Sequence, residues 1–166
     1  ASGCSMAADW KDPTASQQAK HAGVVFVGTA QKLPEDSFPP GVSLNVTVDH
    51  YLKGCGPSVV EVSGFDSTPA CSVDPPEEGS KFVVFACAKG SDTATLNDFD
   101  AHTGIGSMDD IAEIRDALGL SGDGTSPGDC ADSSLKEAKA CSGAWPPCAL
   151  SAAWGLAATF SALWLS

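Results

Sequence analysis

No two cysteines in this chain stand three residues apart, so the paired CxxC knuckles of a zinc ribbon are missing although the sequence holds seven cysteines. Cations are scarce: nine Lys and Arg stand against 21 Asp and Glu, a formal net charge of −12 over 166 residues. No cluster of Lys or Arg occurs, which excludes the phosphate neutralisation that nucleic acid or an anionic lipid surface demands. No HExxH links the three histidines, His21, His50 and His102, and no Gly-x-Ser-x-Gly elbow surrounds a serine. The acidic pairs Glu77-Glu78 and Asp109-Asp110 lack the alternating oxygen ligands of an EF-hand loop, and turn solvation or a helix dipole accounts for them. The expectation is therefore a protein that is not an enzyme, with no cofactor and no metal of its own.

An initiator Met and an apolar secretory core are also lacking at the front, which reads as a signal peptide already removed. Ala1-Ser2-Gly3 are small residues set before Cys4, so both Ala1 and Cys4 stand as candidate mature ends. Seven cysteines without metal spacing imply disulfides formed in an oxidising, extracellular compartment. Asn45-Val46-Thr47 is a glycosylation sequon that points to the same compartment.

At 43% apolar residues the chain is globular rather than disordered, and its length suits one core. Everything else packs around 71–89, where Cys71, an acidic Pro/Gly turn and the run Phe82-Val83-Val84-Phe85 follow in succession. The chain should reverse between Pro75 and Gly79 and enter a strand buried on both faces. Before it, Thr14 to His21 favours a short helix with Asp12-Pro13 as its cap and first turn. Gly23 to Ala30 reads as a first strand. Val42 to Val48 alternates apolar and polar residues as a strand with one wet face, and that parity turns Asn45 outward. Val59 to Val62 gives a third strand, and Ala94 to Phe99 a fifth after the one that contains Phe82 to Phe85.

Five short strands with no helix between them favour a small antiparallel barrel, mainly β with flanking helices. Ser107 should cap a further helix whose stripe is Ile111, Ile114 and Leu118, with Gly119 ending it. Trp10 is expected to cover one barrel end. Residues 1–120 form the barrel domain. From Ser121 the composition turns to Gly, Ser, Asp and Pro, so 121–148 reads as a linker with a short loop and a brief helix from Leu135 to Cys141. Residues 149–166 carry no charge, and Trp154 and Trp164 there, with Trp145 before them, look like membrane-interface or signal residues.

That tail is short for a membrane span. It reads either as a glycolipid-anchor signal or as a helix that packs or stays as a tail anchor. For an anchor signal, cutting after Ser142 leaves Cys4, Cys55, Cys71, Cys87, Cys130 and Cys141, an even set, whereas cutting after Asp132 leaves five. Ser142 is the favoured attachment residue.

In this order, Cys4, His21-Ala-Gly-Val-Val-Phe-Val-Gly28, Val46-Thr-Val-Asp-His-Tyr-Leu-Lys-Gly54, Ala70-Cys71 and Glu78-Gly-Ser-Lys-Phe-Val-Val-Phe-Ala86 resemble the N-terminal domain of the tissue inhibitors of metalloproteinases and their netrin-like relatives. The resemblance runs from about Cys4 to Leu118 and implies an OB-type five-stranded barrel, stapled by disulfides. It implies a bridge from Cys4 to Cys71. The family's second opening cysteine is Met6 here, and its partner past the barrel is missing as well. Cys55 and Cys87 stand in their place, so the resemblance leads to Cys55 bonding Cys87 and Cys130 bonding Cys141, one of 15 pairings that six cysteines allow.

The function the family implies is inhibition of a zinc metalloendopeptidase. The free amine and carbonyl of Cys4 would take the open positions of the catalytic zinc, and Ser5 would point to the specificity pocket. Left attached, Ala1-Ser2-Gly3 would convert that amine to an amide and block this route. The alternatives are a noncatalytic cell-surface recognition module, in which Cys4–Cys71 only ties down the amino terminus, and a structural matrix component. No nucleic acid partner is expected, and the membrane is reached only through the anchor or tail.

Overall fold

The computed structural model describes residues 13–32, 42–65, 73–96, 104–130 and Leu135. Cys4, Ser5, Trp10, Cys71, His102, Cys141, Ser142 and the tail 149–166 lie outside these residues.

The first element is helix α1, Ala15–His21. Its cap is Thr14 rather than the expected Asp12-Pro13: Thr14 Oγ1 accepts from Gln17 N at 3.2 Å and the Gln17 amide oxygen accepts from Thr14 N at 3.0 Å. This reciprocal pair satisfies two of the donors that every helix start leaves open. At the other end Lys53 Nζ donates to the carbonyls of Ala19, Lys20 and Ala22 at 2.5–3.2 Å, a cation on the negative pole of the helix.

Among the described residues six strands follow: β1 Val24–Ala30, β2 Val42–Lys53, β3 Val59–Phe65, β4 Lys81–Ala88, β5 Thr93–Leu96 and β6 Ile105–Gly106. The hydrogen-bonded order β1-β2-β3-β5-β4, with β4 also pairing β1, closes a five-stranded barrel of OB type. One pairing departs from the all-antiparallel expectation: β3 and β5 run parallel, Glu61 beside Thr93 through Ser63 beside Thr95. β6 adds a two-residue antiparallel step to β4 at Val83 and Val84. β2 continues five residues past the alternating run read from the sequence. Register shifts on β1 between Val25 and Phe26 and between Val27 and Gly28 let that long strand coil round the barrel.

Strand parity sorts the side chains. Phe26, Leu44, Val46, Tyr51, Val60, Phe65 and Val84 point inward and are buried together with Leu135. Val25, Val27, Leu52, Val83 and Phe85 point outward into a second cluster under α1 and a second helix, α2 Ile111–Leu118. β1 and β4 are thus covered on both faces, as the apolar run at 82–85 implied, and the helices flank the barrel rather than plug it. α2 follows a short 3-10 turn, Met108–Asp110, that Ser107 caps: Asp109 N donates to Ser107 Oγ at 3.2 Å and Ser107 N to Asp110 Oδ2 at 3.0 Å. Gly119 ends it at φ 67°, the left-handed conformation glycine takes most easily. Ser16 N donates to Glu113 Oε1 at 3.1 Å and joins the two helices. Buried Gln18 ties α1 to the chain on both sides, donating to Pro13 O at 3.2 Å and accepting from Gly104 N at 3.0 Å.

Candidate functional site

Two surfaces of the barrel stand out, one clasped end and one bare flank. The clasp begins at Tyr51, whose ring lies inside the barrel with its centroid 5.6 Å from that of Phe26, at 59°. Its hydroxyl donates to Pro57 O at 2.7 Å, which satisfies the polar tip of a buried ring. Its backbone pairs with Thr125, N to O at 2.8 Å in both directions. Residues 121–130, whose composition suggests a linker, therefore run back across the end of β2 as a strap.

Gly124 makes this approach feasible. Its φ is 104°, and a Cβ on it would collide with the Tyr51 carbonyl and stand 3.3 Å from the His50 ring. Just beyond the strap Leu135 is fully buried in the barrel core, with its N–H donated to Ser91 O at 2.8 Å.

A disulfide between Cys55 and Cys130 locks the clasp. This corrects the pairings the resemblance led to: Cys55 does not bond Cys87, and Cys130 does not bond Cys141. The physical reason is the strap, which brings residue 130 over the turn after β2, with a Cα separation of 5.7 Å that suits a bridge. Cys87, at the end of β4, is disulfide-bonded as well. Cys4–Cys71, the bridge on which the Cys4 and Ser5 reading depends, lies outside the described residues.

Burial pushes the Tyr51 phenol above its ordinary value. In the unfolded chain a phenol ionises near pH 10, so the folded state holds its proton where the unfolded state has lost it. Stability from this group is whole below about pH 10 and falls as pH rises beyond it. Tyr51 is the only tyrosine in the sequence, so phenolate absorbance reports this one ring. The absorbance is expected to rise only as the barrel unfolds, and Tyr51→Phe is expected to flatten the alkaline loss of stability. The same variant costs about 1 kcal/mol at neutral pH, for the lost hydrogen bond. Alkaline titration followed by absorbance and far-ultraviolet dichroism together checks both.

The bare flank is the outer face of β2, β3 and β5. Asn45, Thr47, Val59 and Glu61 are exposed there, while Ser63 and Thr95 are half-buried with their hydroxyls 3.1 Å apart. Gln31 Nε2 donates to Thr47 Oγ1 at 2.8 Å, and the ion pair Lys81–Asp49, at 2.7 Å, stands partly exposed. The outward turn of Asn45 is as the parity of β2 implied.

The acidic pairs have local tasks. The Asp110 carboxylate completes the capping box of the Met108–Asp110 turn and Asp109 contributes its backbone N–H, while Glu77 offers its backbone carbonyl to Ser80 N and Oγ in the turn before β4. His21 closes α1 beside Lys20, and His50 lies within β2, its Nε2 buried without a hydrogen-bond partner. Among the described residues no three His, Cys, Asp or Glu side chains gather into a set that would hold a metal ion. The Arg115 guanidinium pairs with Asp123 at 2.6 Å and fastens the start of the strap to α2.

No family model matches this chain, and a search of the curated proteins finds no match. The strap, the Cys55–Cys130 bridge and the role of Leu135 escaped sequence reasoning. The signal available was an isolated leucine after a Gly/Ser/Asp-rich stretch.

Proposed function

We propose that this chain is a noncatalytic recognition domain of the extracellular space, a rigid barrel that meets a partner with its surface. The observation that carries the reading is the barrel interior, filled by apolar side chains and closed at one end by Tyr51, Leu135 and the Cys55–Cys130 bridge. Such an interior leaves the outer surface as the place for contact, and among the described residues Asp110 holds a helix cap while Asp49, Lys81, Arg115 and Asp123 hold ion pairs. A disulfide joining segments 75 residues apart supports an oxidising compartment, hence secretion or display at the cell surface.

Inhibition of a zinc metalloendopeptidase through Cys4 and Ser5 is the second reading. The pairing order β1-β2-β3-β5-β4-β1 favours it, since this is the barrel that the resemblance to the metalloproteinase inhibitors implied. One experiment separates the two. Protein beginning at Cys4 and protein with Gly3 left in front are assayed against zinc endopeptidases and for saturable binding to intact cells. The recognition reading expects no inhibition by either form and equal cell binding by both. Inhibition by the Cys4 form that one added residue abolishes establishes the second reading instead.

A further inference from the structure

We infer that Asn45 carries an N-linked glycan that lies over the outer face of β2, β3 and β5 with Val59 as its apolar floor, so that a partner meets the barrel elsewhere. This rests on the extracellular reading above, because glycan transfer needs the secretory route.

Four observations converge on the face. The Asn45-Val46-Thr47 triplet lies within β2, where Val46 is fully buried and the two sequon side chains are exposed, so the barrel presents the acceptor outward. The Asn45 backbone is engaged, its carbonyl accepting from Gln31 N at 2.9 Å, which fixes the direction of the side chain. Glu61 stands opposite Asn45 and Val59 opposite Thr47, so Val59 is the diagonal neighbour of Asn45, at a spacing of roughly 7–8 Å. Val59 is 41% exposed, and Met108 is the one other large apolar side chain so open among the described residues.

The chemistry of the face suits a sugar. A pyranose has an apolar C–H side and a rim of hydroxyls; Val59 offers a surface for the first and Thr47, Glu61 and Thr95 offer partners for the second. Among the described residues no helix crosses this flank, because α1 and α2 pack over Val25, Val27, Val83 and Phe85 on the other. The hydroxyls of Ser63 and Thr95 face each other and Thr47 accepts from Gln31, so these hydroxyls are held in place for further contacts.

The test uses the full chain secreted from eukaryotic cells. Treatment with an amidase that releases the glycan converts a modified asparagine to aspartate, which peptide mass mapping reads at position 45. Conversion is expected, with a fall in Tm of about 3 °C as Val59 is uncovered. Because the new aspartate faces Glu61 in both proteins, Val59→Ser after the same treatment is expected to lose only that charge contribution, a fall smaller than the parent's because the floor is gone. An equal fall in both proteins overturns the placement on Val59. Unmodified Asn45 in secreted protein with Cys55–Cys130 formed overturns the inference and leaves the recognition reading standing. A chain that never leaves the cell overturns both.

Discussion

Replacing Cys55 and Cys130 together by alanine is expected to lower the free energy of unfolding by about 4 kcal/mol, measured by guanidinium denaturation of the double variant against the parent. The bridge joins residues 75 apart, and a loop of that size removes a large share of the unfolded chain's freedom. Native-state strain or residual structure in the unfolded chain subtracts from this figure, so a loss below about 1 kcal/mol would mean that the strap holds by Tyr51–Thr125 pairing and Leu135 burial alone. Against a total of roughly 5–15 kcal/mol for a domain, the expected loss decides whether the barrel stays folded at body temperature. The double variant is preferred to either single one, since it leaves neither Cys55 nor Cys130 as an orphaned thiol to attack the disulfide at Cys87.

Phe26→Ala is the second large effect, with an expected loss of about 3–5 kcal/mol. Phe26 is fully buried on β1, and its ring meets Tyr51 inside the barrel. β1 is hydrogen-bonded to β2 along one edge and β4 along the other, so its backbone has little freedom to move into the void. The cost therefore belongs at the upper end of the range for a site that cannot collapse. Val59→Ala, on the bare flank of the unglycosylated protein, is the control and is expected to stay within about 0.5 kcal/mol of the parent. Equal losses for the two would contradict the assignment of inner and outer faces.

That assignment is the part of the fold most open to reading from the chain. Alternation along 42–48 placed Leu44, Val46 and Val48 inside and Asn45 outside, and the unbroken run at 82–85 announced a strand covered twice. Ser107 and Gly119 marked the bounds of the second helical stretch through local chemistry that does not depend on distant partners. What stayed hidden depends on segments far apart in sequence. Nothing in Thr93 to Leu96 signals that it lies parallel to β3, because a strand's side-chain pattern is the same for either direction. Gly124 read as loose linker composition, whereas its role is to let Thr125 come close enough to exchange hydrogen bonds with Tyr51. The disulfide partners were illegible for the same reason: cysteine positions restrict the pairings, but only the path of the strap selects one. The residues on which an inhibitory amino terminus would depend, Cys4, Ser5 and Cys71, lie outside the described part of the chain, so Asn45 and the clasp carry the functional argument.

The parallel junction of β3 with β5 has a consequence for how the barrel breathes. Among the described residues it rests on three residue pairs, Glu61–Thr93, Val62–Ala94 and Ser63–Thr95, with four residues of β5. Amide protons of β1, held between two antiparallel neighbours, should exchange with solvent only on global unfolding, while those of β5 escape through partial opening. The stave wall thus has a preferred seam, and it lies along the flank that a carbohydrate on Asn45 would roof.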